Sequence, residues 1–256
     1  MTAEVPARTV SGTSGADAER KRDGARSTLV WDLLRQVVAA RVAHAGPSTL
    51  DIVDVGGGTG GFAVPFAALG HNVTVVDPSP DALAAAQRRA AERQVPLTAV
   101  QGEADEADRL VGEAAADLVI CHNVLEYVDS PAAAMAAIAR VLRPGATVSV
   151  LAANAVAAVL QRAMAGRYGE ARQLLEGGGS GAGVPRRFTL AGLTELIEGA
   201  GLWPGEAHGI RVFAGLLPAA DPDPGAAEAL RALEDAAAAY PALRDIAARL
   251  HVLGHR

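Results

Sequence analysis

The stretch DIVDVGGGTGGFAVPFAALGHNVTVVD, Asp51 to Asp77, constrains the fold more than any other. Ile52–Val55 is a short apolar run bounded by turn signals, which predicts a buried strand. A glycine loop follows, then a helical stretch over Gly61–Leu69, a second strand at Val73–Val76 and the acidic Asp77 at its tip. This is the order of a βαβ unit built around a nucleotide. Glycines at 56, 58 and 60 let backbone approach a ligand where a Cβ would clash, and the helix that follows offers unpaired N–H groups at its start. Asp77 is placed to accept hydrogen bonds from both hydroxyls of a ribose, and no arginine follows at once to receive a 2′-phosphate.

The loop alone leaves two ligands open. Gly56-x-Gly58-x-x-Gly61 satisfies the dinucleotide (NAD) fingerprint, whereas Asp54-x-Gly56-x-Gly58-x-Gly60 satisfies the acidic-led pattern associated with S-adenosylmethionine (SAM). Outside the unit the alternation of strand and helix continues. Helices are expected over 26–44, 81–93 and 131–142, and strands over 97–101, 117–121 and 147–152. Beyond residue 154 the pattern changes to a helical stretch, 155–175, interrupted by Gly166 and Gly169. A glycine-rich loop, EGGGSGAGVP, follows, then a helix over 190–200, a strand within 206–214, a turn at 221–224, a helix over 226–239 and a closing strand at 250–253. The expectation is an α/β fold: a Rossmann-like seven-stranded, mostly parallel sheet with helices on both faces and a small helical insertion or cap. Its domain would cover residues 23–256, with the cap at about 155–188, after a disordered leader over 1–22 that has little to bury.

Composition narrows the function. Half of the 256 residues are hydrophobic, enough for a sizeable core, and the formal charge of −6 disfavours nonspecific binding of nucleic acid by overall charge. The single cysteine, Cys121, excludes an internal disulfide and reads as core at the end of a buried strand. The six histidines fall at no metal-ligand spacing, so no metal is expected. There is no apolar run long enough for a membrane span and no signal-peptide pattern near residue 1, so a cytoplasmic location is expected. The oligomeric state has no signature in the sequence.

Three further features separate SAM from NAD. A full helix precedes the first strand. DLVICHNVLEYV, Asp117–Val128, runs from a strand straight into an apolar loop. VLRPGATVSVL joins a helix to the next strand through a Pro-Gly turn. With these in order, the chain resembles the class I SAM-dependent methyltransferases. The resemblance implies SAM as cofactor, with S-adenosylhomocysteine (SAH) as product. It places the Gly56, Gly57, Gly58 and Gly60 loop against the cofactor, Asp54 near the methionine amino group and Arg26 at its carboxylate. Asp77, with Pro78 beside it, is placed at the ribose, Ala104 and Asp105 beside adenine, and His122 and Asn123 near the methionine part. His122 reads as a neutral hydrogen-bonding residue in preference to a general base.

A narrower likeness covers residue 23 to the end, through RDGARSTLVWDLL, CHNVLEYV, MAGRYGEA, VPRRFTL, LTELIEGAGLWPGEAHGIRVF and the closing segment. It resembles the tRNA 5-carboxymethoxyuridine methyltransferases, which esterify the carboxylate of a modified wobble uridine. A carboxylate is ionised at neutral pH and needs no general base. It needs orientation, for which an arginine fork is suited. Arg211 is the first candidate, Arg186 the second, and Asn154 follows the fifth strand as a third catalytic candidate. The family's insertion carries a lysine-rich run where this chain has Gly177–Gly183, leaving Arg167, Arg172, Arg186 and Arg187 as a smaller basic patch. The acceptor is therefore tRNA or, as the alternative, a small-molecule carboxylate or other acceptor of secondary metabolism.

Overall fold

A computed structural model describes residues 28–45, 48–177, 185–216 and 224–256. The elements are, in order, α1 (Thr28–Ala45), β1 (Asp51–Val55), α2 (Ala63–Ala68), β2 (Asn72–Asp77), α3 (Pro80–Glu92) and β3 (Thr98–Gln101). A 3-10 turn (Ala104–Glu106) then runs into α4 (Ala107–Val111), β4 (Ala116–His122), α5 (Pro131–Val141) and β5 (Leu142–Ala153). The remainder is α6 (Ala155–Met164), α7 (Tyr168–Leu175), α8 (Leu190–Gly199), β6 (Trp203–Ile210), α9 (Pro224–Ala237), α10 (Pro241–Arg244) and β7 (Arg249–His255). Arg26, residues 1–22, most of the glycine-rich loop and nearly all of the 221–224 turn lie outside the described residues.

The seven strands form one sheet in the order β3-β2-β1-β4-β5-β7-β6. The first five pair in parallel, and β7 runs antiparallel to both β5 and β6. The sheet is thus mostly parallel with an antiparallel edge. Period-two alternation along the strands splits the core into two layers. Val53, Val119, Cys121, Val148 and Val150 face α5 and α8. Ile52, Leu118, Ile120 and Leu151 face α1 and α2, where Leu34 and Phe66 are fully buried. β4 lies between β1 and β5 and is buried at all seven positions, as a strand covered on both faces must be.

Helix starts follow sequence chemistry. Ser79 and Ser130 cap α3 and α5, accepting hydrogen bonds from the N–H groups of Ala82 and Ala133, and each is followed by proline at the first helical position. Such a cap contributes about 1 kcal/mol. At the N-terminal ends of β1, β4 and β5, Asp117 accepts hydrogen bonds from Arg41 at 3.0 Å and 3.1 Å and from Arg143 at 2.6 Å. Arg143 also reaches Asp51 at 2.8 Å. The Leu142–Gly145 segment, expected as a tight turn, is instead the irregular start of β5, with a register shift opposite Ala116–Leu118. β6 stops at Ile210, short of the expected 214. There the Glu234 carboxylate accepts the N–H groups of Val212, Phe213 and Ala214 at 2.6, 2.9 and 2.7 Å, which replaces strand pairing and turns the chain away.

Candidate functional site

The strand order reverses at β1, which lies between β2 and β4, and a crevice opens beyond the carboxyl ends of these strands, the usual ligand position in such sheets. The glycine loop forms its floor. Gly56 N–H donates to the Val76 carbonyl at 2.6 Å. Its φ is +66°, and a Cβ there would lie 2.3 Å from Val124 Cγ2, so only glycine fits. At Gly57 an added Cβ would meet Asp54 Cγ at 2.5 Å. The loop is therefore pressed onto two side chains that themselves belong to the site.

Asp77 is buried at the tip of β2, and its two oxygens each accept one backbone N–H at 2.9 Å, Oδ2 from Gly58 and Oδ1 from Ser79. A carboxylate has about four acceptor positions, so each oxygen keeps one for a neighbouring pair of hydroxyls. Asp54 is buried beneath the loop. Burial, then the nearby Asp77 charge, push its carboxyl up to about 7 against the lowering effect of the Ala63 N–H. A cation approaching this acid would favour its ionised form. Pro78 follows Asp77 and opens the turn to α3. Ala104 is buried and Asp105 exposed on the 3-10 turn after β3, where Glu103 and Asp105 share a hollow with Tyr127 and Asp129.

His122 ends β4. Its Nε2 lies 2.7 Å from Ser149 Oγ, which lies 2.7 Å from His251 Nε2, and the Phe62 ring meets it edge-on at 5.0 Å. Burial lowers the His122 pKa to about 3, so the ring is neutral near pH 7. Asn123 is in the left-handed region at φ +57°. Its N–H donates to the Leu151 carbonyl at 2.7 Å, and its side-chain oxygen accepts from Arg249 Nη1 at 2.7 Å.

Across the segment after β4 lies a second cavity of about 200 Å³. Glu126, Tyr127, Arg186, Arg187, Arg211 and Arg249 are among its lining residues, as are alanines of α6. Four arginines against one acid reverse, locally, the negative charge of the whole chain. Their guanidinium groups differ in use. Arg186 donates to the carbonyls of Val128 and Asp129, so its fork is occupied by the segment after β4. Arg187 makes no hydrogen bond or ion pair among the described residues. Arg211 is exposed just beyond β6 at φ +60°, and its carbonyl accepts the Ala248 N–H at 3.1 Å.

Asn154 departs from the catalytic expectation. Its buried amide donates to the carbonyls of Asp245 and Ala247 at 2.9 and 2.8 Å, while its oxygen accepts the Val156 N–H and caps α6. Both donors are engaged, so its position is architectural. The arginines expected as a basic patch on the helical pair α6–α7 are largely paired: Arg167 lies 3.6 Å from Glu170 and Arg172 lies 3.8 Å from Glu176, with Arg162 also on Glu170 at 3.0 Å. Two residues missed by sequence reasoning are Glu126 and Arg249. Glu126 carried a signal, a lone acid inside the apolar run NVLEYV. Arg249 carried none, because its place depends on β7 inserting next to β5. Among the described residues, no group of three or more His, Cys, Asp or Glu side chains is gathered to hold a metal ion.

Comparison with known proteins agrees with the fold. The family described as "Methyltransferase domain" matches residues 53–150, from β1 into β5. The tRNA 5-carboxymethoxyuridine methyltransferase of Escherichia coli K12 is 32% identical over 146 residues, which cover 56% of this chain and 54% of the relative. The ubiquinone biosynthesis O-methyltransferase of Xanthomonas campestris is 36% identical over 141 residues, 55% of this chain and 57% of the relative. The chain thus matches about half the length of these curated relatives. Among solved structures, the magnesium protoporphyrin IX methyltransferase of Synechocystis PCC 6803, with bound SAH, superposes with a TM-score of 0.57 at 17% identity, covering 95% of this chain and 94% of that one. An S-adenosylmethionine-dependent methyltransferase from Mesorhizobium loti gives a TM-score of 0.54 at 20% identity, covering 86% and 96%. At such identities the structural likeness speaks for the fold.

Proposed function

We propose that the chain is a class I SAM-dependent methyltransferase with SAM as its cofactor, and that it transfers the methyl group to a carboxylate oxygen. The observation that carries this reading is the arginine-lined cavity, whose lining residues Glu126 and Tyr127 closely follow Val124, the residue packed over Gly56 of the glycine crevice. SAM, when bound, supplies an electrophilic methyl group on a sulfonium. In this reading the loop Gly56–Gly60 receives the methionine side of the cofactor and Asp77 its ribose. Asp54, ionised by the incoming cation, receives the ammonium. Ala104 and Asp105 border the adenine.

The acceptor needs little beyond orientation and loss of water. A carboxylate is already ionised, so no base has to remove a proton. The neutral, buried His122 fits such a reaction. Arg211 and Arg187 draw the acid into the cavity and aim one oxygen, an effect that can contribute several kcal/mol. A tight fork would quench the oxygen's nucleophilicity, so contact from the exposed Arg211 and the half-buried Arg187 suits the chemistry better than a fully buried pair. Arg186 serves by holding the wall, not by binding the acid.

The acceptor we favour is 5-carboxymethoxyuridine at the wobble position of tRNA, in line with the resemblance to that family, and a cytoplasmic location follows from this reading. A small-molecule carboxylic acid is the second reading. It is favoured by the pairing of the α6–α7 arginines with glutamates, which leaves less positive surface for a polyanion. Nucleoside digests of tRNA from cells with and without the gene decide between them. Loss of the methyl ester, with the free acid accumulating, supports tRNA. Unchanged tRNA, with label from SAM appearing in a metabolite extract, supports the small acid. Arg211→Ala is expected to lower turnover and leave SAM affinity unchanged, and equal damage to both would remove Arg211 from the acceptor side.

A further inference from the structure

The segment 123–129 is the wall between the cofactor crevice and the arginine-lined cavity, and we infer that Arg249 is the positioning residue that fixes it, by joining Asn123 on one side to Glu126 on the other. Arg249 is the first residue of β7 and reaches back across the sheet. Its Nη1 donates to Asn123 Oδ1 at 2.7 Å and lies 3.6 Å from Glu126 Oε1. The side chains of Arg249 and Glu126 are 15% and 3% exposed, so both are largely removed from solvent. Glu126 Oε1 also accepts the Ala153 N–H at 2.8 Å, which ties the same carboxylate to the end of β5.

Asn123 has reason to need the contact. It is a residue with a Cβ in a left-handed conformation, which persists where surroundings over-determine it. The next residue, Val124, fills the space over Gly56, so a shift at Asn123 moves the floor of the cofactor crevice. Glu126, three residues on, lines the acceptor cavity beside Tyr127. One guanidinium nitrogen, Nη1, faces both points, so a single side chain couples them. Arg249 therefore transmits the position of β7 to both halves of the site without itself touching the reacting atoms. This inference rests on the methyl-transfer reading, because it places Asn123 against the cofactor.

The test is a double-mutant cycle read by calorimetry with SAH, which needs no acceptor. Asn123→Gly accepts the left-handed backbone and removes the side chain that Arg249 holds. Arg249→Met and Asn123→Gly are each expected to weaken SAH binding about tenfold, with the double variant no weaker than either single one. Losses that multiply would show two independent effects and overturn the inference, as would an R249M affinity within about twofold of wild type. A merely structural role would lower the melting temperature without this non-additivity. Should R249M not fold, Arg249→Lys carries the test: it keeps a charge on the side of Glu126 but ends one atom short of the Nη1 that donates to Asn123, and wild-type affinity there would overturn the inference. A wild-type protein that does not bind SAH would defeat the donor reading and this inference with it. SAH binding in the wild type with an unaltered variant defeats this inference alone.

Discussion

The two ends of the sheet handle charge in opposite ways. At the N-terminal ends of the strands, Asp51, Asp117, Arg41 and Arg143 are brought together as ions that satisfy one another. Burial pushes the Asp51 pKa up, yet hydrogen bonds from Asn72 and Arg143 bring it below the usual value. Burial likewise works against the Arg143 charge, and Asp51 and Asp117 more than offset it. At the C-terminal ends, Asp54 is held up at about 7 and His122 down at about 3, both towards the neutral form. The first end uses charge to join strands. The second keeps its polar groups only partly answered, as a surface awaiting a charged ligand should. The same strands carry both, separated by little more than the length of β1, so stability and binding can be perturbed apart.

The largest expected effect breaks the first end. Asp117→Ala leaves Arg41 and Arg143 without their shared carboxylate and is expected to cost about 3–5 kcal/mol in a denaturant titration. SAM affinity of the folded fraction should remain near wild type, and a parallel fall would mean that the two ends are coupled. Asp77→Ala attacks the other end. It is expected to weaken SAM binding by about 1.5–3 kcal/mol, read by calorimetry, because charged hydrogen bonds to the ribose are lost. Ser149→Ala tests the buried polar row beneath the site: it strands His122 Nε2 and His251 Nε2 together, and a stability loss of about 1–3 kcal/mol is expected in thermal unfolding.

The effects of pH have opposite signs at the two groups. A carboxyl raised to about 7 in the fold adds stability that is full below its unfolded value of 3.8 and is lost as pH rises through 7. The lowered histidines do the reverse. His122, at about 3 in the fold, contributes nothing adverse above 6.5 and costs stability as pH falls from 6.5 towards 3. If Asp54 must ionise for cofactor binding, SAM affinity rises roughly tenfold from pH 6 to pH 8 and binding releases a proton. Calorimetry in buffers of different ionisation heat measures that release, and a pH-independent affinity would remove Asp54 from the ammonium.

The shape of the glycine crevice was legible because local sequence fixes it. Asp54, the glycines and Asp77 lie within one βαβ unit, and their geometry follows from a tight turn and the end of a strand. The arginine-lined cavity was not. Asn154 looked free to act because nothing in its neighbourhood announces that the Asp245 and Ala247 carbonyls will take both its donors. Arg186 looked like a fork for substrate because the carbonyls of Val128 and Asp129, more than fifty residues earlier, do not advertise a partner. Arg249 entered only through the pairing of β7 with β5. Strand boundaries failed for the same reason at Ile210, where a glutamate from α9 takes over the backbone.

The placement of β7 has a consequence for assembly on the ribosome. β7 is made after β6 yet lies between it and β5, so β6 has no hydrogen-bonded neighbour until the later strand arrives. The strands that flank the glycine loop, β1, β2 and β4, are all made earlier and pair with one another without it. The arginine-lined cavity is likewise complete only once Arg249, one of its lining residues, has emerged.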